Sequence, residues 1–445
     1  MALHTRLGRM AAVLLAAATS AAWATAEEPV KLEEPFREGR SYRVSTRVDL
    51  SGTLTPPAEK GKPAPKPLTV KGDSAIDYDE RLLTVEKGEV RKTIRLYGRM
   101  DFERTLGDRP QQSTLRPAVR RLVVMRQNGA KAPFSPDGPL TWGEIDLVRT
   151  DVFTPALAGM LPDHAVRLGD RWDVSTDAVH ELTDMERIDD GKIECRLDDV
   201  SAKDGRRQAR VTFSGAVRGA NEDGPNRQQL DGWYLFDLES NHLSYLYLKG
   251  VHSLLDADGK EAGRVEGRYV LSRKADVSSR ELGDEALKGV GLEPNAGNTL
   301  LLYDNPDFGV RFVYPRRWHP AAVRGSQLAL DGADGSGLLL TLDAAARTPT
   351  GEQFLKESRD WLESRKVKVL GVDPVRSAAS GVEHFALTTE AAEQRTVMDY
   401  YVVRQANGGA MLAGRLQMTE LDALQKEVEG IARSLAITKK IEERK

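Results

Sequence analysis

Polarity alternates with a period of two through much of the first 275 residues, and this pattern leaves the chain few ways to fold. Tyr42, Val44, Thr46, Val48 and Leu50 alternate with Ser41, Arg43, Ser45, Arg47 and Asp49, the signature of a half-buried strand. Val211, Phe213 and Val217 alternate with Arg210, Thr212 and Arg218 in the same way. Turn-forming residues separate such runs at Asp189-Asp190-Gly191, Asp204-Gly205, Glu239-Ser240-Asn241 and Asp258-Gly259. The short connections predict an antiparallel meander. Two strands, Trp233 to Phe236 and Leu243 to Leu248, are apolar on both faces and need cover on both. Thr141–Leu161 is the expected cover. Thr141 and Glu144 form a capping-box pair, Ile145, Val148 and Val152 follow at helical spacing, and Pro155 and Pro162 limit the helix.

Gly39-x-x-Tyr42-x-Val44-Ser45-Thr46 recurs as Gly169-x-x-Trp172-x-Val174-Ser175-Thr176. Either residues 27–140 and 163–275 are related halves joined by a helical segment 141–162, or a glycine turn is simply a common way into a sheet. Composition then shifts over 276–298, where Gly289, Gly291, Pro294 and Gly297 follow a short helix expected over Arg280–Lys288. This reads as a linker between a β-rich domain, 27–275, and a second domain, 299–437, with a charged tail over 438–445. In the second domain strands are expected at Phe308–Tyr314, Leu328–Leu330, Leu338–Leu342, Val367–Val372, Glu383–Thr388, Thr396–Arg404 and Ala410–Gln417. Thr350 and Gln353 cap a helix carrying Phe354, Leu355, Trp361 and Leu362. Thr419 is expected to cap a last helix with Leu421, Leu424, Val428, Ile431 and Leu435 on one face. The fold class is α+β: a mainly antiparallel N-terminal sheet, curved or half-barrel with a covering helix, and a C-terminal antiparallel sheet with packed helices.

The N-terminus has the pattern of a signal peptide. Arg6 and Arg9 precede an apolar run from Met10 to Trp23, too short to span a bilayer, and Ala24-Thr25-Ala26 offers a small-x-small cleavage site. Cleavage near Ala26 predicts a soluble periplasmic or extracellular protein without a transmembrane segment. Without the first 26 residues, 62 basic residues face 67 acidic ones, a net charge of −5. That balance is a poor one for nucleic acid. The exception, Lys60–Lys71, has interspersed prolines and no aromatic for base stacking, so it reads as a solvated loop. Cys195, the sole cysteine, falls on the apolar face of a strand and reads as a small core residue; no intrachain disulfide is possible.

Catalytic patterns are missing. His164, His180, His242, His252, His319 and His384 show no ligand spacing, and neither a Gly-x-Ser-x-Gly elbow nor a P-loop occurs. Ser336 reads as part of a Gly-Ser-Gly turn, and Asp256–Gly259 as a hairpin turn lacking the closing Glu of a calcium loop. The acidic run Glu181, Asp184, Glu186, Asp189 and Asp190 reads as a solvated hairpin rather than an acid–base site. His319, after Trp318 in an expected turn, is the histidine best placed for a surface role. No catalytic, metal or cofactor residue is assigned.

Phe308-Gly309-Val310-x-Phe312-x-Tyr314-Pro315-x-x-Trp318 resembles the N-terminal signature of the PsbP-like family, which includes the extrinsic photosystem II subunit, a nuclear Ran-binding factor and many secreted bacterial proteins. The resemblance covers 299–437 and implies a binding or assembly module rather than an enzyme. Its Tyr314 and Trp318 read as packing residues. Pro139-Leu140-Thr141-x-x-Glu144-x-Asp146, Leu161-Pro162 and Val166-x-x-Gly169-Asp170-x-Trp172 are similar to uncharacterised secreted bacterial β-rich proteins, and the expected shape resembles lipoprotein carriers of the LolA type. The expected function is a non-catalytic binding or assembly protein of the bacterial cell envelope, with an unknown envelope protein or hydrophobic ligand as partner. The alternatives are a lipid carrier with a cavity under Trp233 and Tyr245, and an envelope hydrolase built from scattered residues.

Overall fold

The computed structural model describes residues 28–56, 65–127, 129–203, 205–277, 279–377, 381–391 and 393–442. The expected signal segment, residues 60–64 of the Lys60–Lys71 stretch and residues 443–445 lie outside them. The fold is β-rich α+β, built from antiparallel sheets.

All strands up to residue 275 join one twelve-stranded sheet. They are β1 (Ser41–Leu54), β2 (Leu68–Glu86), β3 (Glu89–Leu106), β4 (Arg109–Thr114), β5 (Arg121–Gln127), β6 (Ala130–Phe134), β7 (Arg171–Asp173), β8 (Arg187–Lys203), β9 (Arg206–Asn221), β10 (Gly224–Asp237), β11 (His242–Leu255) and β12 (Glu261–Ala275). The order is β6-β5-β3-β2-β1-β12-β11-β10-β9-β8-β7, with β4 on the far end of β3. The first and last strands pair in the middle, from Tyr42 opposite Ala275 to Leu54 opposite Gly263. Two meanders therefore fan outward and leave β6 and β7 at the two ends.

The chain between those ends fills the inner face. Helix α1 (Trp142–Thr150) starts with the expected capping box, in which the Thr141 hydroxyl accepts from the Glu144 N–H and the Glu144 carboxylate from the Thr141 N–H. A 3-10 turn over Thr154–Met160, with Pro155 in its first turn, and α2 (Thr176–Thr183) follow. Val148, Phe153, Leu157, Met160 and Val179 pack against Tyr42, Val44, Ile76, Tyr78 and Leu82. Trp172 Nε1 and Tyr234 OH both donate to the Met160 carbonyl, at 2.8 and 3.1 Å.

Two expectations for this sheet change, at Asp189–Gly191 and at Trp233 and Tyr245. Asp189-Asp190-Gly191 is not a turn: it lies inside β8 at a bulge, where Gly191 has φ +96° and a Cβ would fall 2.1 Å from the Ala216 carbonyl oxygen. Trp233 and Tyr245 do not line the interior; Tyr234, Leu246 and Leu248 do, and the two aromatics stand half-buried on the outer face. Gly39 and Gly169 both take positive φ and both lead an aromatic residue, Tyr42 or Trp172, inward. The likeness ends there, because Ser45 continues β1 whereas Ser175 caps α2. The segment read as a linker, 276–298, carries short helical turns where a helix is expected. A 3-10 turn (Arg280–Leu282) and α3 (Asp284–Leu287), separated by Gly283, place Leu282 and Leu287 on Ile94, Val123 and Phe134, covering the outer face of β3, β5 and β6.

The later strands are β13 (Leu301–Asn305), β14 (Val310–Tyr314), β15 (Trp318–Pro320), β16 (Gln327–Gly332), β17 (Gly337–Asp343), β18 (Lys368–Ser377), β19 (Val382–Ala391), β20 (Gln394–Gln405), β21 (Gly408–Gln417) and β22 (Ala436–Ile437). They form a small sheet, β13-β14-β22, and a seven-stranded one, β15-β16-β17-β21-β20-β19-β18. The strand expected from Phe308 begins at Val310, because Gly309, at φ +81°, completes the turn from β13. Helix α4 (Gly351–Ser364) has its capping box and packs Phe354 and Leu362 on Phe385, Leu387 and Tyr400; Trp361 is 55% exposed. Helix α5 (Leu421–Ser434) covers the opposite face with Leu424, Val428 and Ile431. Thr419 does not cap it: the N-cap is Glu420, in the left-handed region with no side-chain cap. Part of the expected tail is fixed, with the Ile441 N–H donating to the Asn407 carbonyl at 2.8 Å.

The early and late sheets touch through backbone and through the Arg316 side chain. Leu140 bridges Leu301 in parallel, the Leu302 N–H donates to the Leu140 carbonyl at 2.7 Å, and Arg316 Nη2 donates to the Pro133 carbonyl at 2.5 Å. Among the described residues no helix is long and apolar enough to cross a membrane.

Candidate functional site

Charged residues occupy inward positions of the large sheet. In β2 the inward series is Ile76, Tyr78, Glu80 and Leu82; in β3 it is Thr93, Arg95 and Tyr97. Arg95 is fully buried, donating through Nε to Glu80 at 2.8 Å and through Nη1 to Asp151 at 2.9 Å, with its guanidinium over the Tyr78 ring. Asp151 ends α1, and the chain beyond it is clamped. Lys131 Nζ donates to the Asp151 carbonyl at 2.6 Å and to Glu181 at 2.9 Å; the Phe153 N–H donates to Glu181 at 2.6 Å; the Thr154 hydroxyl donates to Glu80 at 3.3 Å. Burial raises the Asp151 carboxyl to about 6 despite Arg95 and Lys131, and holds the phenols of Tyr78, Tyr97 and Tyr269 above their usual range.

A second buried pair lies nearby. Arg273 Nη1 donates to Glu34 at 3.1 Å, and Arg273 sits over the Tyr42 ring. His242 Nε2 donates to the Arg273 carbonyl at 3.2 Å while its Nδ1 faces the Ser240 hydroxyl at 3.0 Å. Burial lowers the His242 pKa, which favours this neutral tautomer. These pairs tie the inner helices and the sheet together, so the interior is filled by side chains and matched charge.

The outer face is different. At the end away from α3 it forms an open groove of about 870 Å³ across β1–β4 and β10–β12. One cross-strand row runs through it in register: Asp231, Lys249, Arg268, Asp49, Asp73, Glu103 and Gln112, on β10, β11, β12, β1, β2, β3 and β4. All six charged members are exposed. Among the described residues no ion pair joins Lys249 or Arg268 to Asp49 or Asp73, and the three carboxylates Asp49, Asp73 and Glu103 stand opposite one another on successive strands. Like charges in such positions cost stability. One register step along lie Trp233 and Tyr247, 6.2 Å apart, with Tyr245 5.0 Å from Trp233 and Arg210 over the Trp233 ring at 5.0 Å.

The residues singled out in the sequence do not come together. His319 is exposed on β15, 6.0 Å edge-on from Trp142. His384 Nε2 donates to buried Asp399 at 2.7 Å and stacks on Tyr401. His180 Nδ1 meets the Met185 carbonyl. His252 is half-buried on the inner side, where burial lowers its pKa. Cys195 is buried, its thiol pushed up to about 12. Ser336 lies in a turn and donates to Asp334, and Asp256 accepts from the N–H groups of Asp258 and Lys260 in its hairpin turn. Tyr314 and Trp318 are buried. The acidic run divides: Asp189 is solvated, but Glu181, read as solvated, is buried in the clamp, because α2 turns it toward Lys131. No group of three or more His, Cys, Asp or Glu among the described residues is arranged to hold a metal ion.

Sequence reasoning missed both charged systems. Glu80, Arg95 and Arg273 carried a signal, charge at an inward position of an alternating strand. The outer row carried none, since it depends on register between residues as distant as Asp49 and Arg268.

No protein-family model matches this chain, and no curated protein does. Among solved structures it is similar to the Ran-binding protein Mog1p of Saccharomyces cerevisiae, at 11% identity over 32% of this chain and 96% of that one, with a TM-score of 0.26. It is similar to the cyanobacterial PsbP (CyanoP) of Synechocystis, at 12% identity over 33% of this chain and 99% of that one, with a TM-score of 0.25. A third likeness is to lipovitellin, at 9% identity over 55% of this chain and 26% of that one, with a TM-score of 0.30. Each is a weak neighbour over part of the chain.

Proposed function

We propose that this chain is a non-catalytic binding or assembly protein of the bacterial cell envelope, exported by its N-terminal segment, with a PsbP-like C-terminal module and a binding surface on the outer face of the large sheet. The observation that carries this reading is the groove: an open surface on which Asp49, Asp73, Glu103, Lys249 and Arg268 are exposed and, among the described residues, in no ion pair, on a sheet whose buried Arg95 and Arg273 lie against carboxylates. The carrier reading draws no support from Trp233 and Tyr245, which face outward while the strand positions beneath them are packed. The hydrolase reading needs His180 or His252 beside two carboxylates; among the described residues neither forms a hydrogen bond or ion pair with a carboxylate.

The test is affinity capture from envelope extract with the wild-type protein and with an Asp49→Lys, Asp73→Lys, Lys249→Glu variant. A partner retained by the first and lost by the second supports the reading. Native mass spectrometry showing a clean monomer, with capture indifferent to the variant, contradicts it.

A further inference from the structure

We infer that the groove receives an extended polypeptide segment of its partner, carrying a block of carboxylates beside a block of basic residues. This rests on the binding role proposed above and specifies its partner.

From Lys249 to Glu103 the row is sorted by sign, with Asp231 beyond Lys249 on β10. In this row Lys249 and Arg268 place positive charge on β11 and β12, and Asp49, Asp73 and Glu103 place negative charge on β1, β2 and β3; the next row along carries Glu266 on β12, which pairs with Arg264 at 3.2 Å, and Lys71 on β2. Neighbouring strands lie roughly 4.8 Å apart, so Lys249 and Glu103 are separated by roughly 19 Å along the groove. An extended chain advances roughly 3.3 Å per residue and covers that span with about six residues. Every second side chain of such a segment faces the sheet, so an acidic stretch followed by a basic one would set alternate carboxylates against Lys249 and Arg268 and alternate cations against Asp49, Asp73 and Glu103. The opposed carboxylates are costly alone and are relieved by a cationic ligand.

The surroundings fit a polypeptide. Trp233, Tyr245, Tyr247 and Arg210 border the cationic side, and Trp, Tyr and Arg are the side chains that most often anchor protein interfaces. Nucleic acid is disfavoured, because Asp49, Asp73 and Glu103 repel phosphates. A second copy of this face is disfavoured by shape, since two concave surfaces do not close on each other.

The probe is a fluorescent decapeptide with three glutamates followed by three lysines between Gly-Ser ends, compared with an alternating peptide of the same composition. Anisotropy is read on the full protein at low ionic strength. The block peptide is expected to bind at least about tenfold more tightly than the alternating one. Asp73→Lys with Glu103→Lys should abolish that preference and create binding to a glutamate-only peptide, and circular dichroism should stay unchanged. Equal binding of block and alternating peptides, or binding of neither, overturns the inference. Groove-dependent capture of a partner lacking such a segment also overturns it, yet leaves the binding role standing. Capture that ignores the groove removes the binding role itself.

Discussion

Arg95 and Asp49 belong to the same twelve-stranded sheet, one on each face. Arg95 is fully buried, bonded to Glu80 and Asp151, and holds the end of α1 against β2 and β3. Asp49 is exposed, has a carboxylate opposite it on one side and a cation on the other, and is paired to neither. Inside, Arg95 meets Glu80 and Asp151, Lys131 meets Glu181, and Arg273 meets Glu34; outside, in one row of the groove, Asp49, Asp73 and Glu103 stand together. Matched charge in a closed interior fixes an arrangement of elements. Grouped charge on an open face creates a field that an oppositely charged ligand relieves.

The largest effect should come from breaking the inner set. Arg95→Met leaves Glu80 and Asp151 buried without their cation and should cost about 3–5 kcal/mol in urea unfolding. Replacing all three with Arg95→Met, Glu80→Met and Asp151→Leu should recover most of that loss, since the net worth of a buried ion group is small once its members leave together.

Acidity sharpens the contrast. Asp151 holds its proton up to about pH 6 in the folded protein and only to the ordinary carboxylate range when unfolded. Its raised folded pKa means that this group adds stability as pH falls from 7 toward 4 and withdraws it as pH rises through 6. His242 and His252, whose pKa values are lowered, act with opposite sign in that window, so the comparison must be with Asp151→Asn, where they cancel. The wild type should gain about 2–3 kcal/mol on this variant between pH 7 and 4, followed by thermal unfolding. A flat difference would mean that Asp151 is not titrating in the buried clamp.

The smallest effect on stability should come from the outer row. Asp73→Asn removes one of three opposed carboxylates and should shift unfolding by no more than about 0.5 kcal/mol, toward greater stability. A large loss would show that the row is structural.

The two faces also differed in how far the sequence revealed them. Alternation around Tyr42 and Val211 gave the strands, and the Thr141 and Thr350 boxes gave helix starts, because these signals are local. Glu420 displaced Thr419 at α5, since the preceding turn takes a left-handed residue and leaves no capping geometry for Thr419. Glu181 moved from solvent to the core because the path of α2 past β6 is a tertiary fact. Glu80 and Arg95 were visible in principle as charges out of phase with their strands. The row from Asp231 to Glu103 was not, since six strands must be in register before its members meet.

Equilibrium binding of the captured envelope partner to the wild type and to the Asp49→Lys, Asp73→Lys, Lys249→Glu variant, measured beside their urea unfolding, tests the central claim most directly. The account predicts unchanged unfolding within about 0.5 kcal/mol and binding weakened at least about tenfold. Unchanged binding with an intact fold would contradict it.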